Sequence, residues 1–199
     1  MQVIVVSNPA SLNREPEIIN AFFEHGLSVF HLRKPDYTRE QLALLIQQIK
    51  TEYHSKIALH HHHELINEYK IRRLHYPEKL RKECPGLLKK PGYTYSTSIH
   101  NLAEYERISD LFDYVLLGPV FDSISKKGYK SIDQSNHPNK LYNKKMNIIG
   151  IGGITQSNGK KALEYGFNGL ALMGYLWQME RPEENFKQLL NSWNTKEIL

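Results

Sequence analysis

The chain has 199 residues, of which 40% are hydrophobic and 24% charged, enough for one well-buried core and a single domain spanning 1–199. A formal charge of +5 suits a small anionic ligand without requiring nucleic acid as a partner. The lone cysteine, Cys84, excludes an intramolecular disulfide framework, and no stretch reaches the roughly 18 apolar residues of a membrane helix.

In chain order, Val3–Val6 is a short β-branched run that reads as a buried strand, stopped by Ser7-Asn8-Pro9. The leading ten residues are too short an apolar run for a signal peptide, so a cytoplasmic protein is expected. Asn13 is placed to cap a helix through Ile18, Ile19, Phe22 and Phe23. Leu27–Leu32 is the next strand, ending in Arg33-Lys34-Pro35. Thr38 with Gln41 forms a capping-box pattern ahead of Leu42, Leu45, Ile46 and Ile49 at helical spacing. A third strand, Lys56–Leu59, runs into His60–His63. A short fourth strand follows at Arg72–His75, then a proline-broken basic stretch from Tyr76 to Pro91.

Tyr93–Ser98 supplies a fifth strand, Asn101 caps a helix containing Leu102, Tyr105 and Ile108, and Asp113–Leu117 is the sixth strand. The polar stretch 122–145 has little helical periodicity and reads as a loop of the kind that closes over a site. Ile148–Ile151 then turns on Gly152-Gly153, Thr155 stands where an N-cap belongs, Gly166 ends the helix, and Gly169–Met173 stops at Gly174. An amphipathic helix over Arg181–Trp193 closes the chain.

Eight strand candidates, each followed by a helix or loop, predict an α/β fold: a compact (β/α)8 TIM barrel. Active residues of such a barrel gather at the C-terminal strand ends. Here those are Ser7, Arg33, Lys34, His60, His61, His75, Ser98, His100, Ser123, Ser125, Lys126 and the two glycine turns. Cations and hydroxyls dominate that set, which suits an anionic substrate. Glycines at two consecutive strand ends let backbone N–H groups approach a phosphate closely, and a helix N-terminus there adds a favourable field. The basic stretch between Arg72 and Lys90 reads as a solvated face.

Five segments at successive strand ends carry a resemblance: LRK at 32–34, SIH at 98–100, DYVLLGPVF at 113–121, SISKK at 123–127 and IGGIT at 151–155. In this order they resemble the thiamine phosphate synthase / thiazole tautomerase family. The resemblance implies a thiazole phosphate held on Gly152, Gly153, Met173 and Gly174, with Ser123, Ser125 and Lys126 beside the phosphate groups. It implies that Arg33 grips the pyrophosphate of an aminopyrimidine partner, that Ser98 lies by the pyrimidine, and that His31 takes the place of a glutamine. Lys34 stands next to the family's lysine position, which Pro35 occupies.

Synthases of this kind use Mg²⁺. The resemblance puts His60-His61 where the metal-binding Asn-Asp would stand, and Glu78 is the carboxylate closest to the second metal aspartate. The expected partners are phosphorylated thiazole and pyrimidine substrates, with a homo-oligomer open and no membrane or nucleic acid. The expected reaction joins the two substrates with loss of pyrophosphate. The alternatives are the metal-independent tautomerase, whose histidine place holds Pro119, and a non-catalytic thiazole-phosphate binder. His61, His75 and His100 are the candidates for moving a proton.

Overall fold

The computed structural model describes residues 1–122, 131–133, 137–141 and 145–194. Eight parallel strands close into a barrel in sequence order: β1 (Gln2–Val6), β2 (Val29–Leu32), β3 (Ile57–Leu59), β4 (Arg73–Tyr76), β5 (Thr94–Ile99), β6 (Tyr114–Leu117), β7 (Asn147–Ile151) and β8 (Gly169–Leu172). The helices are α1 (Glu15–Glu24), α2 (Arg39–Gln48), α3 (Glu78–Glu83), α4 (Leu102–Tyr105), α5 (Gly159–Glu164), α6 (Gly174–Trp177) and α7 (Pro182–Asn194). β1 pairs with β8 through Ile4 and Ala171, which closes the sheet. No described helix is long and apolar enough to cross a membrane.

Strands this short survive because both faces are buried. Phe30, Leu32, Leu59, Leu74, Tyr95, Val115, Ile148 and Leu170 point outward into one apolar layer beneath the helices. Their alternates Val29, Ala58, Tyr114, Leu116, Ile149 and Ala171 point inward and form a second, smaller cluster. Alternation carries His31, His60, His75, Ser96 and Ser98 inward as well. The barrel is therefore lined by apolar side chains around β7, β8 and β1, and by imidazoles and hydroxyls from β2 to β6.

Local signals set most boundaries. Thr38 and Gln41 form the reciprocal capping box of α2, and the Asn101 side chain accepts from Glu104 N at α4. Two starts differ from expectation. Arg14, at φ 58°, is the residue before α1, not Asn13, and Glu15 in its first turn is pulled inward by a buried ion pair with Lys34. Thr155 does not cap α5; its N–H donates to Asn158 Oδ1 in a turn, and the helix begins at Gly159. Most of the loop 122–145 falls outside the described residues. Where it is described, Ile132 N donates to Pro119 O at 2.8 Å and Asn139 N to Tyr165 O at 2.9 Å.

Candidate active site

A cavity of about 390 Å³ opens at the C-terminal ends of the strands. Its walls include Arg33 from the end of β2, Ser98 and His100 from β5, Leu116 and Pro119 from β6, Gly152 and Gly153 after β7, and Met173, Gly174, Tyr175 and Gln178 after β8. Sequence positions more than a hundred residues apart thus face one space because the barrel ring returns each strand end to the same rim.

The β7 turn is built for close approach of backbone. Gly152 and Gly153 sit at φ 93° and 66°, and a Cβ on Gly153 would lie 2.5 Å from Phe121 O. The carbonyls are used up: Gly152 O accepts from Phe121 N at 3.1 Å and Gly153 O from Asn158 Nδ2 at 2.8 Å. Among the described residues the N–H groups of Gly152, Gly153 and Gly174 have no partner. An anion is the complement of such a set. Because α5 starts at Gly159, the cradle at β7 rests on the turn's own amides and not on a helix terminus.

Across the cavity, Arg33 is held by its backbone: Ser7 Oγ donates to Arg33 O and accepts from Arg33 N, each at 2.8 Å. Lys34 is turned away from the cavity. Its Nζ donates to Glu15 Oε2 and to Ala10 O, both at 2.6 Å, with no exposed side-chain surface. Burial raises the Glu15 pKa, and the hydrogen bond from Lys34 works against that rise. His31 likewise lies below the cavity, fully buried, with Nε2 2.7 Å from the Tyr114 hydroxyl and Nδ1 2.9 Å from His60 Nε2. Burial first, then the charge of Arg73, pulls its pKa down to about 3. His60 and His75 are held well below their ordinary value by burial and by the neighbouring imidazoles.

His61 stands off the cavity wall, its Nε2 buried without a partner, with its pKa lowered by burial and by Arg33. Glu78 is clamped by Lys82 at 2.5 Å, and His100 Nε2 lies 3.6 Å from its other oxygen. Ser123, Ser125 and Lys126 lie outside the described residues. Reading strand ends alone does not reach Tyr175 and Gln178, because the chain stays at the rim after β8 for the one turn of α6. It also missed the inward Ser96 and Tyr114, which strand alternation marks.

Mg²⁺ takes oxygen ligands, with one or two carboxylates. At the places where the resemblance puts metal ligands stand His60, already bonded to His31, His61, and a lysine-paired Glu78. These residues do not fit Mg²⁺. Three imidazole nitrogens, of His31, His60 and His75, do lie within 4.8 Å of one another. Five of the six ring nitrogens there already have partners, and His60 and His75 stack face to face at 4.0 Å, so their lone pairs do not converge.

The family model for thiamine monophosphate synthase matches residues 2–176. The chain belongs to the thiamine monophosphate synthase family. A thiamine-phosphate synthase of Listeria monocytogenes (serotype 4b) is 25% identical over 193 residues, covering 88% of each chain. That of Anoxybacillus flavithermus is 32% identical over 96 residues, 46% of this chain and 44% of the other. Among solved structures, a thiamine phosphate pyrophosphorylase from Bacteroides thetaiotaomicron has a TM-score of 0.78 and 26% identity, covering 97% of this chain and 98% of its own. One from Pyrococcus furiosus, at 17% identity and a TM-score of 0.75, covers 96% and 94% and shows the same fold. In this member of the thiamine monophosphate synthase family the glycine turns and Arg33 share one cavity.

Proposed function

We propose that the chain is a transferase of the thiamine-phosphate synthase type. It joins a hydroxyethylthiazole phosphate to a hydroxymethylpyrimidine pyrophosphate and releases pyrophosphate. One observation carries this reading: two glycine turns, whose amides have no partner among the described residues, line the same cavity as Arg33 and Ser98. Two anionic groups on two substrates need two anion sites in one space.

The thiazole's phosphate rests on the amides of Gly152, Gly153 and Gly174, beside Met173. The pyrophosphate of the pyrimidine meets Arg33, with Ser123, Ser125 and Lys126 of the SISKK segment as its further partners. The carbon–oxygen bond between the pyrimidine's methylene and the pyrophosphate breaks, and the electron pair leaves with the pyrophosphate. The thiazole nitrogen then gives its lone pair to the electron-poor methylene carbon, forming the carbon–nitrogen bond of a thiazolium. Fixed cations that face the departing charge lower the barrier because they need no reorganisation as it develops. Ser98 contacts the pyrimidine. His31, buried below the cavity, supports its floor, and Lys34, turned away from it, supports its wall.

Incubating the purified protein with both substrates, in buffer holding Mg²⁺ or Mn²⁺, is expected to give thiamine phosphate and pyrophosphate in equal amounts. No product with either ion would overturn the coupling reaction. His60 and His61, which do not suit Mg²⁺, leave a second reading to be tested, a thiazole-phosphate binder or tautomerase. Calorimetric binding of thiazole phosphate with no coupled product would select it.

A further inference from the structure

Among the described residues no aspartate or glutamate lines the cavity. The sequence of 123–130 holds Lys126, Lys127 and Lys130 but no acid, and 134–136 and 142–144 hold none either. Carboxylates on the neighbouring loops are already committed. Glu15 Oε2 accepts from Lys34 at 2.6 Å, and Glu78 Oε1 from Lys82 at 2.5 Å. Glu104 Oε1 accepts from Asn101 Nδ2 at 3.0 Å, and its Oε2 lies 3.6 Å from Arg81. Asp122 Oδ1 accepts from Ser131 N at 2.7 Å. Asp36, in the loop that follows Arg33, is exposed and stands off the cavity wall.

This allotment leaves one cation out. Lys34, Arg81 and Lys82 each face a carboxylate. The Arg33 backbone is fixed by Ser7, yet its guanidinium has no hydrogen-bond or ion-pair partner among the described residues. Its planar fork can grip two phosphate oxygens at once. Mg²⁺ takes the same oxygens, keeps several waters, and is held to a protein through one or two carboxylates. In this cavity the ion would meet no carboxylate, and it would set two positive charges beside Arg33 with nothing to offset the repulsion.

We infer that the cavity takes the pyrophosphate group bare, without a divalent cation, so that Mg²⁺ competes with the protein for that group instead of bridging it to the protein. The inference rests on Arg33 being the pyrophosphate site proposed above. The ligand it selects is the metal-free pyrophosphate ester, and Mg²⁺ in solution withdraws that form. Raising Mg²⁺ therefore increases the concentration of ester needed to fill the site, and excess ester overcomes the effect.

Calorimetry of the full chain with inorganic pyrophosphate tests this, in EDTA and in millimolar Mg²⁺ at matched ionic strength, because salt alone screens such contacts. Binding is expected in EDTA and is expected to be several-fold weaker with Mg²⁺. Arg33→Met is expected to abolish it in EDTA. Binding that needs Mg²⁺, or tightens with it, would overturn the inference and leave the coupling reaction standing. Retained binding in a folded Arg33→Met would overturn it too, by placing the group elsewhere. No binding in either buffer would remove the anion site at Arg33 and the inference together. Electron paramagnetic resonance gives a readout independent of affinity. Adding protein to a Mn²⁺–pyrophosphate mixture is expected to raise the signal of free aqueous Mn²⁺, as the site strips the anion from the ion. A further loss of that signal would reveal a ternary complex and overturn the inference.

Discussion

At the scale of single residues, the sharpest contrast is between Arg33 and Lys34, neighbours that strand alternation sends in opposite directions. Arg33 faces the cavity; Lys34 is sealed against Glu15. Replacing Lys34 with methionine keeps the chain's bulk but leaves a buried carboxylate without its counter-charge. The expected loss is about 3–5 kcal/mol of folding stability, read by denaturant titration. Adding Glu15→Leu should restore most of it, since removing both charges leaves no buried charge unpaired. If the single variant instead keeps its stability and loses activity, Lys34 belongs to the substrate site. Gly153 is the opposite case, a position where a side chain has no room. Its φ of 66° and a Cβ 2.5 Å from Phe121 O mean that Gly153→Val must displace the turn. Thiazole phosphate affinity is expected to fall more than tenfold in calorimetry, and unchanged affinity would remove the cradle.

At the scale of elements, α5 and α7 meet where Gly159 lies against the ring of Trp193, whose Nε1 donates to Gln156 O at 3.0 Å. Alanine is the better helix former by ~1 kcal/mol, yet its methyl would run into the indole ring. Overpacking of this kind costs about 1–3 kcal/mol, so Gly159→Ala is expected to lower Tm by a few degrees in a thermal melt. A rise in Tm would mean that the helix pair yields easily. The same elements show what a sequence discloses. Runs such as Asn147–Ile151 and Gly169–Leu172 are apolar on both faces and bounded by glycine, so the strands and their barrel order could be read directly. Capping signals at Thr38 and Asn101 were equally legible because they act within four residues. Signals that depend on distant partners were not. Arg14, not Asn13, precedes α1, where Glu15 is drawn inward by Lys34. The inward histidines and serines sit singly inside apolar strands, where composition hides them. Of the site, both glycine turns, Arg33 and Ser98 stood out as strand-end residues. Tyr175 and Gln178 did not, because nothing local announces a helical turn after Gly174.

At the scale of the whole molecule, a barrel usually filled by branched aliphatic side chains here carries three buried neutral imidazoles in its interior. That choice makes the fold's stability depend on pH. Burial and the charge of Arg73 lower the folded-state pKa of His31 to about 3 from an ordinary 6.5, and burial with the neighbouring imidazoles holds those of His60 and His75 well below it. Above pH 6.5 both folded and unfolded chains hold these rings neutral, and they exert no pH-dependent effect. Below it the unfolded chain takes up protons that the folded chain refuses. Stability therefore falls as pH drops from 6.5 toward the depressed folded values, by up to about 1.4 kcal/mol per pH unit for each ring. Glu15, whose pKa burial raises, acts in the opposite sense, but only nearer the carboxylate range and as a single group. Urea titrations between about pH 7 and about pH 5 are thus expected to show a steep loss of stability, well beyond that of a barrel whose histidines are exposed. His60→Asn, which removes one of the three rings, should flatten the slope. A stability that stays level over this range would mean that the three buried imidazoles take up protons without unfolding the barrel.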